Sequence, residues 1–344
     1  MVWRLPAEWE PQDAILLAWP HSRTDWAANL ADVEATYVAL IEAITARQRV
    51  VLVVADPDIE QRAAHMLGGG EIARDRVRFV RADYDDTWLR DSGPITVTNG
   101  QQFRLLDFRF TGWGGKFGGE RDDRLTETLH AQGLFGDTVR ERREYALEGG
   151  AIESDGAGTL LTTRVCLAQR HPLVSRVALA QGLADEVPCT RVVMLDHGEL
   201  EGDDTDGHID TLVRFVAPDH LVYQACDDPD DPHFAPLASM ADELRELRTA
   251  DGAPYRLTAL PWAQPIRASD GRRLAASYAN FLIINGALLL PAYGDTADDQ
   301  ACVALAEALP DRLIRRVPCR PLIEQNGSLH CLTMQLPRGV LHDG

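Results

Sequence analysis

Two kinds of apolar spacing alternate along the chain. Near the C-terminus, "NFLIINGALLLPAYGD" sets two apolar runs on either side of an Asn-Gly pair, the pattern of a β-hairpin. "DDQACVALAEALP" follows with its apolar positions at helical spacing, and "RLIRRVP" then reads as a strand. The unit is hairpin, helix, strand. It recurs upstream without any residue-level repeat. "PITVTNGQQFRLLDF" turns at Asn99-Gly100, "DDRLTETLHAQGL" is helical, and "TVRERREY" is a strand. "AIESDGAGTLLTT" turns at Asp155-Gly156, with a helix in "VSRVALAQGLA" and the strand "RVVML" after it. "GHIDTLVRFVAPDHLVYQA" is two runs across Ala217-Pro218-Asp219, followed by the helix "FAPLASMADELREL" and the strand "YRLTAL".

The first unit lacks one strand. It has "AILLAWP", a helix around "DVEATYVALIEAITA", and "RVVLVVA". The C-terminal run "LHCLTMQLP" is a strand without a partner, and pairing it with "AILLAWP" completes the fifth hairpin across the termini. Five units then close into a ring. The alternative is an open mixed sheet with helices on its faces. With 344 residues the length admits one large domain or two smaller ones, and the repeat favours a single catalytic domain over residues 1–344.

A ring changes the meaning of scattered reactive residues, because equivalent positions of its units meet around the axis. Asp91 stands before the second hairpin in "YDDTWLRDSGP" and Glu148 before the third in "LEGG". His208 and Asp210 open the fourth in "GDDTDGHID", and Asn280 the fifth in "AASYANF". Cys331 opens the closing strand in "NGSLHC". Each has an ordinary alternative: a turn cap at Asp91, a loop charge at Glu148, a structural His-Asp pair facing one side of a strand, a backbone-bonding Asn280, a core thiol at Cys331. Their shared place in the repeat argues for one site.

Charge narrows the chemistry. The formal net charge is -19, which disfavours nucleic acid and would draw in a small cationic substrate. The six cysteines, Cys166, Cys189, Cys226, Cys302, Cys319 and Cys331, form no C-x-x-C pair, so a structural zinc site and a disulfide framework are both disfavoured. No apolar run reaches membrane-spanning length, and the N-terminus has no secretory pattern; a cytoplasmic protein without membrane contact is expected. A cysteine nucleophile needs a base or a lowered pKa, and His208 oriented by Glu148 supplies the proton traffic. Two further carboxylates beside a thiolate weaken it unless a cation lies between them. A guanidinium is that cation: planar, forked, and bidentate toward carboxylates such as Asp91 and Asp210.

Other motifs carry less. "GWGGKFGG" lacks phosphate-loop spacing and reads as a substrate-side loop with Trp113 as an aromatic wall. "GDDTDGHID" fails as a calcium loop, because Gly202 would occupy its first ligand position. There is no dinucleotide-binding glycine motif.

Taken together, "EWEPQDAILLAWP", "DDTWLRDSGP", "GWGGK", "LEGGAIESDGAGTLLTT", "GDDTDGHID", "LAASYANFLIINGALLLPAYGD" and "GSLHCLTMQLP" resemble the agmatine deiminase family and its relatives, the bacterial peptidylarginine deiminases. The resemblance runs across nearly the whole chain. It implies a five-bladed pseudo-symmetric α/β propeller, the pentein fold. It also implies hydrolysis of agmatine to N-carbamoylputrescine and ammonia, a step of putrescine synthesis, with no metal and no organic cofactor. By motif, Cys331 is similar to the family's nucleophile, His208 to its general acid and base, Asp91 and Asp210 to its guanidinium carboxylates, and Glu148 to the partner of the imidazole. Trp88, Trp113 and Asn280 are the further substrate-side candidates. The chain departs from the family around "EQNGSLHC", after "GWGGK", and in "CLAQRHP". These departures leave open agmatine, free arginine, peptidyl arginine or another guanidine, and a catalytically silent guanidinium-binding protein is the alternative from another class. A homodimer is also left open.

Overall fold

The computed structural model describes residues 2–69 and 72–342. Its strands are β1 (Gln12–Ala18), β2 (Arg49–Val54), β3 (Val77–Arg81), β4 (Ile95–Thr98), β5 (Phe103–Arg109), β6 (Val139–Ala146), β7 (Ile152–Ser154), β8 (Thr159–Thr163), β9 (Arg191–Leu195), β10 (Val213–Ala217), β11 (His220–Gln224), β12 (Arg256–Leu260), β13 (Leu282–Ile284), β14 (Ala287–Ala292), β15 (Leu313–Pro318) and β16 (Met334–Pro337). The helices are α1 (Leu30–Thr45), α2 (Pro57–Met66), α3 (Leu89–Ser92), α4 (Gly112–Gly115), α5 (Leu125–Ala131), α6 (Arg164–Arg170), α7 (Leu179–Glu186), α8 (Phe234–Glu246) and α9 (Ala297–Ala308).

Among the described residues the strands form five separate small sheets, ordered β16-β1-β2-β3, β4-β5-β6, β7-β8-β9, β10-β11-β12 and β13-β14-β15. All five follow one rule. An antiparallel pair is followed by a strand parallel to its second member, as β13 pairs antiparallel with β14 and β14 parallel with β15. A parallel neighbour cannot be reached by a tight turn, so a helix makes the crossover. The termini obey the same rule: β16 pairs antiparallel with β1 from Leu16–Met334 to Gln12–Pro337, and β1 pairs parallel with β2. The fold is thus α/β with small mixed sheets, and the expected pairing of the terminal strands is present.

Burial explains the composition of each layer. Val50 to Val54 of β2 are fully buried, and the run is apolar on both faces. The outer strand β6 instead carries alternating charges in "VRERREYA" and stays half-exposed at its sheet edge. Helix α1 buries Val33, Tyr37, Leu40, Ile41 and Ile44, one stripe at helical spacing. Helix α2 starts where Asp56 Oδ1 accepts the Ile59 N–H at 2.9 Å with Pro57 at its first position. No helix among the described residues is long and apolar enough to cross a membrane.

Three local expectations need correction. The first unit extends further, adding α2 and β3. The crossover after β8 contains two helices; α6 occupies "RVCLAQR", and the expected helix in "VSRVALAQGLA" starts only at Leu179. Cys331 lies outside the closing strand: His330–Leu332 form a single 3₁₀ turn and β16 begins at Met334. Adjacent side chains on a strand point to opposite faces. The turn instead lets both His330 and Cys331 approach Asp210, at 2.7 and 3.8 Å. Asp210 likewise sits in a 3₁₀ turn, Ile209–Thr211, with His208 as its leading residue, so the strand-face relation does not apply.

Candidate active site

Four of the five hairpins are preceded by a single helical turn that carries a reactive side chain. Asp91 lies in α3, Glu148 leads the 3₁₀ turn Gly149–Ala151, His208 and Asp210 belong to the turn before β10, and Cys331 lies in the turn before β16. Asn280 precedes β13 without such a turn. All six are buried, and the structure brings them together.

Their contacts divide into two halves around Gly150. On one side, Asp91 accepts from Trp113 Nε1 at 2.9 Å and from the Gly150 N–H at 3.0 Å. His208 stands between two acids, with Nδ1 3.5 Å from Asp91 Oδ1 and Nε2 3.5 Å from Glu148 Oε2. Arg170 Nε donates to Glu148 Oε1 at 2.7 Å, and its terminal nitrogens reach Asp206 Oδ2 at 2.7 Å and the Thr205 carbonyl at 2.9 Å. Lys116 of the "GWGGK" loop pairs with the other oxygen of Asp206 at 2.7 Å. On the other side, Cys331 Sγ lies 3.8 Å from Asp210 Oδ2, and Asn280 Nδ2 donates to both, at 3.3 Å to the sulfur and 3.2 Å to the carboxylate. Gly150 leaves the space between the halves. A Cβ there would stand 2.6 Å from His208 Nδ1, 2.7 Å from Asp91 Oδ1 and 3.3 Å from Asp210 Oδ1.

Electrostatics follow from burying three carboxylates together. Burial, with Asp210 and Glu148 adding, pushes Asp91 up to about 6. Burial opposes a charge on His208, but Asp91, the Cys166 sulfur and Glu148 together outweigh burial and hold the imidazole well above its ordinary value. Burial would likewise raise Glu148; His208 and Arg170 overcome it, and this carboxyl lies below the usual range. Burial and the negative charges of Asp210 and Asp91 push the Cys331 thiol well above its ordinary value. An isolated thiol here stays protonated, and only a cation between the acids reverses that. Asp210 Oδ1, Glu148 Oε2 and both ring nitrogens of His208 are buried without a hydrogen-bond partner, a set of orphan groups that a polar ligand would satisfy.

A cavity of about 370 Å³ leads to Cys331. Trp88, Trp113 and Phe117 supply aromatic walls, with Trp88 tilted against Trp26 at 5.3 Å. Seven acids line it: Asp25, Asp85, Asp86, Asp91, Asp122, Asp204 and Glu324. No lysine or arginine is among the described lining residues. Gln325, Asn326 and Gly327 of "EQNGS" complete the wall, and Gly327 packs so closely on Trp88 that a Cβ would meet its ring at 2.3 Å. Trp113 takes a left-handed backbone, φ 55°, which costs a residue with a Cβ about 1 kcal/mol. The strain is held by its indole bond to Asp91.

Sequence reasoning missed the layer beneath. His330 Nδ1 bonds Asp210 Oδ2 at 2.7 Å and its Nε2 bonds Glu8 Oε2 at 2.6 Å. Glu8 also lies 3.0 Å from Arg214 Nη2 and 3.5 Å from Arg90 Nη2, and accepts the Ile283 N–H at 2.6 Å. Arg214 is fully buried, donates to Glu153 and to the Phe281 carbonyl, and stacks over the Phe281 ring. One signal was available: a charge inside the apolar strand "VRFVA" must have buried partners. Nothing in the sequence says which. Arg170 and Gly150 were missed for the same reason, since their partners lie far along the chain.

The chain matches known proteins along nearly its whole length. The profile of the Porphyromonas-type peptidyl-arginine deiminase family matches residues 4–337. An agmatine deiminase of Pseudomonas putida is 34% identical, over 98% of this chain and 96% of its own length. A Porphyromonas gingivalis structure provisionally named an arginine deiminase has 43% identity and a TM-score of 0.92, covering 99% of this chain and 100% of the other. A cysteine-to-serine variant of the C. jejuni agmatine deiminase, solved with substrate bound, has 31% identity and a TM-score of 0.90, covering 99% and 97%.

The layer under the site generates a stability prediction. Glu8→Ala strips a counter-charge from fully buried Arg214 and a hydrogen-bond partner from His330. Loss of a partner from a buried ion pair costs about 3–5 kcal/mol. Urea denaturation is expected to show that loss, and a midpoint equal to that of the parent protein would show that the cluster does not hold the fold.

Proposed function

Because the chain belongs to the Porphyromonas-type peptidyl-arginine deiminase family, we propose that it hydrolyses the guanidinium group of agmatine to N-carbamoylputrescine and ammonia, with Cys331 as nucleophile. The carrying observation is the placement of Cys331 Sγ beside Asp210, with Asp91 across the gap left by Gly150, at the end of a cavity lined by acids. The substrate names of the relatives divide among agmatine, arginine and peptidyl-arginine, and the acidic lining supports the agmatine reading. A free arginine brings an α-carboxylate, for which the described lining has no cation. Agmatine brings a second cation, its single ammonium, for which the lining has several carboxylates.

In the proposed reaction Asp91 and Asp210 hold the guanidinium by its N–H groups, and Asn280 holds Asp210 and the thiol in register. The cation lowers the thiol pKa, the thiol proton passes to solvent water, and the Cys331 thiolate attacks the central carbon. His208 gives its proton to the departing amine, and ammonia leaves an S-alkylthiouronium on Cys331. A water then adds to that carbon as His208 takes its proton. Collapse breaks the C–S bond, and the ureido product and the thiol are restored. Glu148, itself held by Arg170, keeps the imidazole charged between turnovers. The five sheets act as blades of one five-bladed propeller in a single catalytic domain. The convergence of one residue from the lead-in of each sheet supports that arrangement.

Three outcomes test the proposal. An ammonia-release panel with agmatine, arginine, N-acyl arginine and an arginine peptide is expected to favour agmatine, and Cys331→Ala to abolish release. Selective turnover of the acylated or peptide substrate, or full turnover by Cys331→Ala, overturns it. Gly150→Ala places a methyl between His208 and Asp91. Turnover should fall on the order of 100-fold while circular dichroism keeps the parent's form and the melting temperature falls only modestly, as overpacking at one buried position does.

The third outcome concerns pH. Burial pushes Asp86 up to about 7 with Asp25 adding, and Asp122 up to about 7 with Asp85 and Asp86 adding; Tyr37 also faces Asp86, and Arg121 faces Asp85. A raised carboxyl pKa means that the empty protein loses stability from these groups as pH rises toward 7. A bound ammonium reverses the penalty by favouring the ionised form. Agmatine should therefore raise the melting temperature of Cys331→Ala more at pH 8 than at pH 6. An equal shift at both would remove these acids from binding.

A further inference from the structure

Cys166 takes no part in the proposed reaction, yet it is fully buried against the residues that do. It lies on α6 four residues before Arg170, so both side chains share the helix face turned toward Glu148. Thr163, which caps α6 through the Cys166 N–H, also donates to the Gly207 carbonyl at 2.7 Å, tying this helix to the loop that carries His208. One donor atom each from Glu148, Cys166 and His208 lies within 4.8 Å of the others. Two of these donor atoms lack hydrogen-bond partners: Glu148 Oε2 and His208 Nε2 are buried, unbonded and 3.5 Å apart.

We propose that Glu148, Cys166 and His208 form an inhibitory site for a thiophilic divalent cation of the zinc type. A carboxylate, a thiolate and an imidazole are a donor set such an ion takes, with bonds of about 2.0–2.3 Å and hence donors about 3.5 Å apart. The Glu148–His208 separation already matches that edge, and all three donors lie within 4.8 Å of one another. The outer shell is also built. Arg170 anchors the second oxygen of Glu148, and Asp91 faces the other ring nitrogen of His208, the carboxylate–histidine–metal arrangement that orients metal-bound imidazoles. Binding releases the thiol proton, and the two anionic ligands offset the charge of the ion.

The inhibitory consequence rests on the role proposed for His208. A metal on Nε2 removes the imidazole from proton transfer without touching Cys331, so the enzyme is shut reversibly and a chelator reopens it.

Two measurements test the site separately from the reaction. Cobalt(II), added to Cys331→Ala, should give the charge-transfer absorption of a metal–thiolate bond at about one equivalent. The band should vanish in the Cys331→Ala/Cys166→Ala double variant. A band that survives in the double variant, or no band in Cys331→Ala, overturns the site whatever the substrate proves to be. In ammonia release from agmatine, zinc should inhibit the parent and EDTA restore it, while Cys166→Ala and the near-isosteric Cys166→Ser raise the half-inhibitory zinc concentration by at least about 10-fold. Unchanged zinc sensitivity in both variants also overturns the site.

Discussion

The structure depends on a cluster of buried charges beneath the reactive residues. Glu8 precedes β1, Arg90 precedes β4, Glu153 lies in β7, Arg214 in β10, and His330 precedes β16, while β13 contributes the Ile283 N–H to Glu8. Every one of the five sheets thus sends a group to the same place. A guanidinium or carboxylate buried alone is strongly disfavoured, so none of these groups can settle until the others arrive. The cluster does more than join the units. His330 hangs from Glu8 and holds Asp210 by its other nitrogen, which fixes one carboxylate of the proposed clamp. Buried ion clusters contribute little net stability compared with apolar packing. Their use here is to specify position.

Above that layer the site is built with a surplus of negative charge. Asp91, Glu148 and Asp210 surround one imidazole and one thiol, while the arginines are spent on Glu148 and Glu8 rather than on the open side. The surplus keeps the Cys331 thiol protonated in the empty protein. A thiolate, not a thiol, is the nucleophile and the target of oxidants. The same acids therefore hold the sulfur in its inert thiol form.

The order of elements was legible because hairpin turns and helical spacing are local. Turn residues and short apolar runs predicted four hairpins and the terminal strand pair. The reactive set was legible for a related reason: each member stands at the same point in its repeat. Shorter features were not. Helix α6 is seven residues and its apolar positions blend into the strand before it. The 3₁₀ turns of His330–Leu332 and Ile209–Thr211 leave no periodic trace in three residues. Cys331 was thus recognised as a candidate but put on a strand.

By itself the sequence determined the repeat, the acidity of the molecule and the identity of Asp91, Glu148, His208, Asp210, Asn280 and Cys331 as one group. These follow from spacing and residue type, which a linear chain carries. Tertiary structure alone decided the partners: His330 between Asp210 and Glu8, Arg170 on Glu148, Cys166 beside His208, Gly150 as the gap between two acids. These contacts join residues from 22 to 322 positions apart in the chain. A charge announces that it needs a partner when buried, but which partner it meets depends on how the sheets are packed, and that is a property of the folded chain.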